Sequence, residues 1–458
     1  MVTLTTEQSA SKSAARSIDV QAFIDRQSLS RMHFAVLALC AVVMVVDGFD
    51  VFVVGKLAPA IAKDFGKPPA SMTTVFALQQ TGLALGGFLI GPLADRYGRK
   101  TMVAWCTAAF SLLTIACVGA GSILQLAILR GLAGIFLSGV IPNLIALLSE
   151  ISPRGAKAKL VTLAFGGFTI GSALGSAVAA WLYIGYGWRI AFWIGGLFPL
   201  AVLPLIVFTL PESVQFLTRR DPSDPRIAHT LRKFVDTAEL DGARGFHVAE
   251  TTVAHRIRLT ELFAAGRAKT TILIWLAFAL QLGGIALLAS WMPAFFLEFS
   301  RIPIERFALL SLYYSAGSLV GVMSVGFIID RAGGRSVLPI YCVLTAVALT
   351  LLGIVPFGAP LFVLGLIAWG FFQSGCQSGL NAVAAATYPT EIRTTGVGAA
   401  FSAGRIGGIV MPLSGGAILA MRLSIELTFV LMALPSLGIA LLLLWLKPGD
   451  ENQSRATV

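Results

Sequence analysis

The sequence predicts an all-α integral membrane protein of twelve transmembrane helices, arranged as two six-helix halves. Three observations carry this. Of 458 residues, 56% are hydrophobic and only 12% are charged, against about 25% charged in an ordinary soluble domain. Apolar runs of about twenty residues, the length that crosses a hydrocarbon core, recur along the chain. A polar stretch near 210–268 then divides those runs six and six.

The runs begin near residues 33, 71, 101, 123, 160 and 188, and again near 269, 306, 336, 359, 394 and 424. The organisation expected is an N-terminal segment 1–30, a first half over 31–209, a central loop over 210–268, a second half over 269–447 and a tail over 448–458. The first thirty residues are polar and hold no apolar core, so no cleavable signal peptide is expected and the first helix serves as the targeting signal. Cys40, Cys106, Cys117, Cys342 and Cys376 all fall in apolar runs without metal-ligand spacing, so neither a disulfide framework nor a metal or other cofactor is expected.

A net charge of +11 raises nucleic acid as a partner, but its distribution points elsewhere. Lys and Arg concentrate in alternate loops, the positive-inside bias, which puts both termini in the cytoplasm of a bacterial-type inner membrane. The lipid bilayer is the partner this implies, and nucleic acid is excluded.

The halves repeat. GPLADRYGRK at 91–100 follows the second run and GFIIDRAGGR at 326–335 follows the eighth, so Asp95, Arg96 and Gly98 recur as Asp330, Arg331 and Gly333 at a constant offset of 235. SPRGAK after the fourth run has a looser partner in YPTEIR after the tenth. Such parallel six-helix repeats build one class of secondary transporter.

With these motifs the chain resembles the major facilitator superfamily over nearly its whole length. GPLADRYGRK, RGLAGIFLSG and LPESVQFL carry the superfamily likeness. DGFD with LAPAI, IPNLIALLSE, SWMPAFF, and YPTEIRTTGVG leading to GRIGGIVMP are similar to the aromatic acid:proton symporter family within it. Lys56 departs from that pattern, standing where a small or apolar residue is usual, and Ser138 interrupts the small-residue run of the fourth helix. The resemblance implies proton-coupled uptake of a small aromatic carboxylate by alternating access, by a protein that works as a monomer.

The residues themselves support a transporter. Asp47 and Asp50 lie within the apolar run VVMVVDGFDVFVV, where a carboxylate costs roughly 2.5–3.5 kcal/mol even on lenient insertion scales. Their spacing puts them on one helical face about 4.5 Å apart along the axis, with Gly48 between them leaving room for a helix or a ligand. Two acids so close repel each other, so one of them can carry a proton. The histidines offer no alternative, since His229, His247 and His255 are in the central loop and His33 is at the start of the first helix. The rival reading is a structural ion pair.

Arg130 is the expected partner, since on helical rise it and Asp47 both lie on the order of 10 Å below the outer surface. It can balance Asp47 or hold a bound carboxylate. Arg405 lies near the midplane of a helix without acids, so it anchors a substrate carboxylate bidentately or bonds backbone carbonyls of another helix. Asn143, Gln281, Gln373, Gln377 and Asn381 are candidates to line the pathway, and Trp291, Tyr313 and Tyr314 to stack on a ring. Glu150, beside Arg154 and Lys157, is expected to join Gly91, Asp95, Arg96, Gly98 and Arg99 in a cytoplasmic gate. Asp330, Arg331 and Arg393 form its counterpart in the second half. In the manner of the family, such charges lock the halves together on one side of the membrane and release them in turn.

No phosphate loop, helical His-Glu metal pair or nucleophile elbow occurs, so neither an enzyme nor an ATP-driven pump is expected. Two rival functions remain open. One is a facilitator carrying or exporting another organic anion or metabolite. The other is a membrane sensor that binds without translocating, which counterflow of labelled substrate would separate.

Overall fold

In a computed structural model the chain is described over residues 17–234, 240, 245–247, 259–264, 266–389 and 392–446. Residues 1–16, the tail 448–458, parts of the central loop and the Asp330 side chain lie outside the described residues. Among the described residues, twelve helices are long and apolar enough to span a bilayer. In the first half they are α1 (Arg31–Asp64), α2 (Pro69–Tyr97), α3 (Arg99–Gly119), α4 (Ile123–Ile151), α5 (Arg154–Tyr186) and α6 (Arg189–Thr209). In the second they are α7 (Ala268–Ser300), α8 (Ile304–Ile329), α9 (Ser336–Ile354), α10 (Pro360–Thr387), α11 (Thr395–Ala420) and α12 (Ile425–Leu444). Phe88, Trp105, Trp181, Phe208 and Phe327 stand exposed on the outside of the bundle. Such a surface is costly in water and suited to lipid.

Local chemistry sets the helix ends. Ser122 opens α4 by accepting from the Gln125 amide at 3.2 Å, and Ser424 opens α12 by accepting from Leu427 at 3.3 Å. The repeated motif has a backbone reason. Gly98 has φ +97° and Gly333 has φ +79°, conformations that side-chain-bearing residues avoid, and each turns the chain between two antiparallel helices.

The pairing of helices repeats with the sequence. In the first half α1 packs on α5, α2 on α4 and α3 on α6, and in the second α7 packs on α11, α8 on α10 and α9 on α12. At the α1–α5 seam the backbones nearly touch. A Cβ on Gly48 would collide with the Phe168 carbonyl, and one on Gly171 with that of Val45. Of the two occupants that Gly48 left open, the structure shows the helix.

Two ends of the bundle differ. At the end of Asp64 and Trp188, called here the far end, one apolar cluster joins both halves, running from Phe49, Leu57 and Phe76 to Trp291, Phe296 and Met432. At the opposite end, where the α2–α3 turn lies, each half keeps its own core. Val36, Leu147 and Ile206 belong to one core, Leu273, Tyr341 and Tyr388 to the other. The halves therefore close on each other at the far end and part at the loop end.

The loop end also carries a small cap. Strands β1 (Ser17–Asp19) and β2 (Gly245–His247) pair in parallel with Ile18 opposite Phe246. Val20, Phe23 and Ile24 pack with Val214, Leu217, Ile227 and Leu231 from after α6. The segments on either side of the first half thus share an apolar core, which their polar composition did not suggest.

Candidate functional site

Helix α1 runs through the centre, and the two acids embedded in it, Asp47 and Asp50, have different surroundings. Arg130, brought in by α4 and 0% exposed, donates Nη1 to Asp50 Oδ1 at 2.8 Å and Nη2 to Asp50 Oδ2 at 2.6 Å. Its guanidinium lies 5.9 Å from the Phe192 ring centre. The expected balance of Arg130 with Asp47 is therefore corrected to Asp50. The reason is length: α1 continues for 34 residues to Asp64, so the acid at the depth of Arg130 is the one a turn nearer the far end.

Asp47 is buried. It makes no hydrogen bond or ion pair among the described residues, and the charges acting on it are Asp50 on its own helix and Arg405 of α11 across the interface. Arg405 Nη1 donates to the Leu83 carbonyl of α2, so it links the two halves through a backbone acceptor. Gly87 makes room for it, since a Cβ there would lie 2.6 Å from Arg405 Nη1. Of the two roles open to Arg405, this conformation displays the bond to a carbonyl.

Toward the far end a cavity opens between the halves, with about 610 Å3 of empty space including its mouth. From the first half it is lined by Phe52, Lys56 and Ser172, and from the second by Met292, Phe307, Ser311, Tyr314, Ser315, Trp369 and Gln373, with aliphatic neighbours. The Tyr314 and Trp369 rings are 4.3 Å apart and tilted by 44°. Lys56, 6% exposed, donates Nζ to the Ser172 carbonyl at 2.5 Å and lies 5.8 Å from the Phe52 ring centre.

The other expected lining residues divide. Tyr314 and Gln373 line this cavity, and Gln281 lies behind it, donating Nε2 to the Gln373 carbonyl at 3.0 Å. Gln377 donates to Asn381 at 3.3 Å one turn further along α10, and Asn143 donates to the Gly139 carbonyl at 2.7 Å within α4. Two aromatic expectations are corrected. Tyr313, one position round the helix from Tyr314, is 46% exposed and outside the cavity lining. Trp291 is committed to packing: its Nε1 donates to the Pro412 carbonyl at 2.8 Å and its ring meets Phe76 edge-on.

At the loop end, Arg99 pairs with Glu150, and Ser213 donates its hydroxyl to the same carboxylate. Glu212 accepts from the Lys100 amide at 3.0 Å, tying the α2–α3 turn to the segment after α6. Arg154, expected beside Glu150, pairs instead with Asp25 at 2.9 Å, because the cap brings that acid to the start of α5. Asp95, Arg96, Arg331 and Arg393 are exposed, Arg96 lying 5.3 Å from the Tyr97 ring centre. The Arg393 guanidinium donates Nε to the Tyr388 carbonyl at 3.4 Å. Gly91 faces open space. Among the described residues, the bonds made by expected gate residues at this end stay within one half, Arg99 with Glu150 in the first and Arg393 with Tyr388 in the second.

Lys56, Ser311, Ser315 and Trp369 line the cavity in addition to the residues expected from the sequence. The signal was present for two of them. Lys56 follows Phe52, and Trp369 precedes Gln373, each by the four residues that share a helix face.

The sequence profile of the Major Facilitator Superfamily matches residues 40–325 and 274–457. The chain belongs to the Major Facilitator Superfamily. Among superfamily relatives, a gallate transporter of Pseudomonas putida is 37% identical over 427 residues, covering 93% of this chain and 94% of the relative. A 4-hydroxybenzoate transporter, PcaK, of Pseudomonas aeruginosa is 33% identical over 92% of this chain and 94% of its own. A benzoate transport protein of Acinetobacter baylyi is 28% identical over 93% of this chain and 92% of its own. In fold the chain is similar to the inward-open xylose transporter XylE of E. coli, with a TM-score of 0.73 at 15% identity, covering 92% of this chain and 98% of that one. As a member of this superfamily the chain is a multi-pass membrane transporter and not an enzyme.

Proposed function

We propose that the protein is a secondary active transporter that takes up an aromatic carboxylate together with protons, by alternating access across a bacterial-type inner membrane. Both termini and the loop end are on the cytoplasmic side, and the conformation described is inward-facing. The protein works as a monomer. The names of its relatives support the substrate class, since those transporters are described for gallate, 4-hydroxybenzoate and benzoate.

One observation carries the coupling. Of the two embedded acids in α1, Asp50 is neutralised by Arg130, while Asp47 has no bonded partner among the described residues and faces Arg405 across the interface. Asp47 is the group free to take and give a proton. Ionised, it attracts Arg405 and resists the rearrangement of the halves; protonated, with substrate bound, it releases them. Each proton moved contributes roughly 1.4 kcal/mol per unit of pH difference. Charge moved inward adds about 2.3 kcal/mol per 100 mV.

The test is uptake of labelled 4-hydroxybenzoate and gallate into proteoliposomes under an imposed pH gradient, with Asp47→Asn beside the wild type. The wild type is expected to concentrate one of these acids and to lose that ability with a protonophore. Asp47→Asn is expected to exchange substrate in counterflow without concentrating it. Gradient-driven accumulation by the variant would overturn the role of Asp47, and no exchange of any ring acid by folded protein would overturn the substrate class.

A further inference from the structure

We propose that the ring acid sits in the cavity at Lys56, with its carboxylate on Lys56 and a ring hydroxyl bridging Trp369 Nε1 and Gln373 Oε1. This rests on the reading of the protein as a carrier of aromatic carboxylates and assigns that substrate its place and its distinguishing group.

Lys56 is a buried lysine with no carboxylate partner among the described residues. Its ammonium has three donors, one of which reaches the Ser172 carbonyl at 2.5 Å. No carboxylate pairs with it among the described residues, and Phe52 supplies only a ring at 5.8 Å. Holding such a charge away from water is costly unless an anion completes it. The cavity in front of it is where that anion can come.

Across the cavity, α10 presents the complementary feature. Trp369 and Gln373 stand one helical turn apart, 7% and 3% exposed, and both line the space. Trp369 Nε1 and Gln373 Oε1 are buried without a hydrogen-bond partner, against the strong tendency of buried polar atoms to be paired. One is a donor and the other an acceptor. A phenolic hydroxyl satisfies both at once, accepting from the indole and donating to the amide. A carbonyl of the substrate would complete only one of them. Tyr314, against Trp369, and Phe52, beneath Lys56, supply the apolar surface that a ring between these ends requires.

The geometry also joins the halves, because Lys56 belongs to α1 and Trp369 with Gln373 to α10. A ligand held at both ends bridges the interface. A ring acid lacking the hydroxyl keeps the Lys56 contact and the ring surfaces but leaves the two polar atoms of α10 unmet.

Binding of benzoate and of 3,4,5-trihydroxybenzoate to the purified full-length protein in lipid nanodiscs tests this. The wild type is expected to prefer the trihydroxy acid by roughly tenfold or more. Gln373→Leu and Trp369→Phe are each expected to shrink that preference several-fold. Lys56→Met is expected to weaken both acids by roughly tenfold and to leave their ratio in place. Equal affinity of the wild type for the two acids, or a ratio untouched by both α10 substitutions, overturns the hydroxyl assignment while leaving an aromatic acid carrier. Undiminished binding by Lys56→Met overturns the carboxylate assignment. Binding of neither acid by folded wild type overturns the aromatic reading and this site with it. The wild-type ratio is informative even if one variant fails to fold.

Discussion

Arg130 and Asp50 are joined by two parallel hydrogen bonds, 2.8 and 2.6 Å long, with both side chains almost wholly out of contact with solvent. A fork of this kind fixes α1 against α4 and gives each charge its only adequate substitute for water. Removing one partner strands the other. Arg130→Met or Asp50→Asn is therefore expected to cost about 3–5 kcal/mol of stability. The double replacement, which leaves no buried charge, should cost clearly less than the two single costs added together. Unfolding of the four proteins in one detergent measures this. Simple additivity would mean that the pair contributes no coupling.

The repeated turns at Gly98 and Gly333 make a graded expectation. Alanine at either must adopt a positive φ, 97° at the first and 79° at the second, a strain of about 1–3 kcal/mol. At Gly98 the new Cβ would also lie 2.5 Å from Glu212 Oε2, while at Gly333 it meets nothing within 4 Å. Gly98→Ala should therefore lower the unfolding temperature more than Gly333→Ala. It should also break the tie between the α2–α3 turn and Glu212. Equal shifts would show that backbone strain alone sets the cost.

Much of this architecture was legible because membrane helices announce themselves by length. The expected starts agree with the observed ones closely everywhere except in α5, expected near 160 and beginning at Arg154. There Arg154, Lys157 and Lys159 make the first turns polar, yet Pro153 starts the helix before the apolar run does. The embedded charges were legible for the same reason, each standing out against an apolar background. Their pairing was not, because it depends on where α1 stops, and the α1 pattern gave no stop until Asp64. The cavity was the least visible part. Lys56, Trp369 and Gln373 come from helices far apart in the chain, and only the docking of the two halves brings them to one space. The cap was hidden for a related reason: Phe23 with Ile24, and Leu231, are short apolar islands in polar segments, and they become a core only by meeting.

Gly91 has no local justification in this conformation, since a Cβ there meets nothing within 4 Å and the residue lies within α2. If the loop end closes during transport, this face of α2 comes against the second half, and the missing side chain becomes the space that closure uses. Gly91→Leu is expected to leave the stability of the form open at the loop end unchanged within about 0.5 kcal/mol. It should also shift the population toward that form. Spin labels on exposed positions at the loop end of α2 and α8 would read the shift as longer distances and a loss of the shorter population. An unchanged distribution would mean that α2 does not approach the second half at this point.

Gly87 and Arg405 offer a sharper case, because one residue makes room for the other across the interface. A Cβ at Gly87 would lie 2.6 Å from Arg405 Nη1, the nitrogen that donates to the Leu83 carbonyl. Gly87→Val must push the guanidinium away and unmake a bond between the halves. The same substitution beside Arg405→Met has no guanidinium to displace. The damage from valine should then be present in one background and nearly absent in the other. A double-mutant cycle on unfolding free energy is expected to give a coupling of roughly 0.5–3 kcal/mol, the range for residues in direct contact. Counterflow activity should follow the same pattern: Gly87→Val should add little to the loss that Arg405→Met already causes. A coupling near zero would show that the glycine serves the packing of α2 and not the arginine.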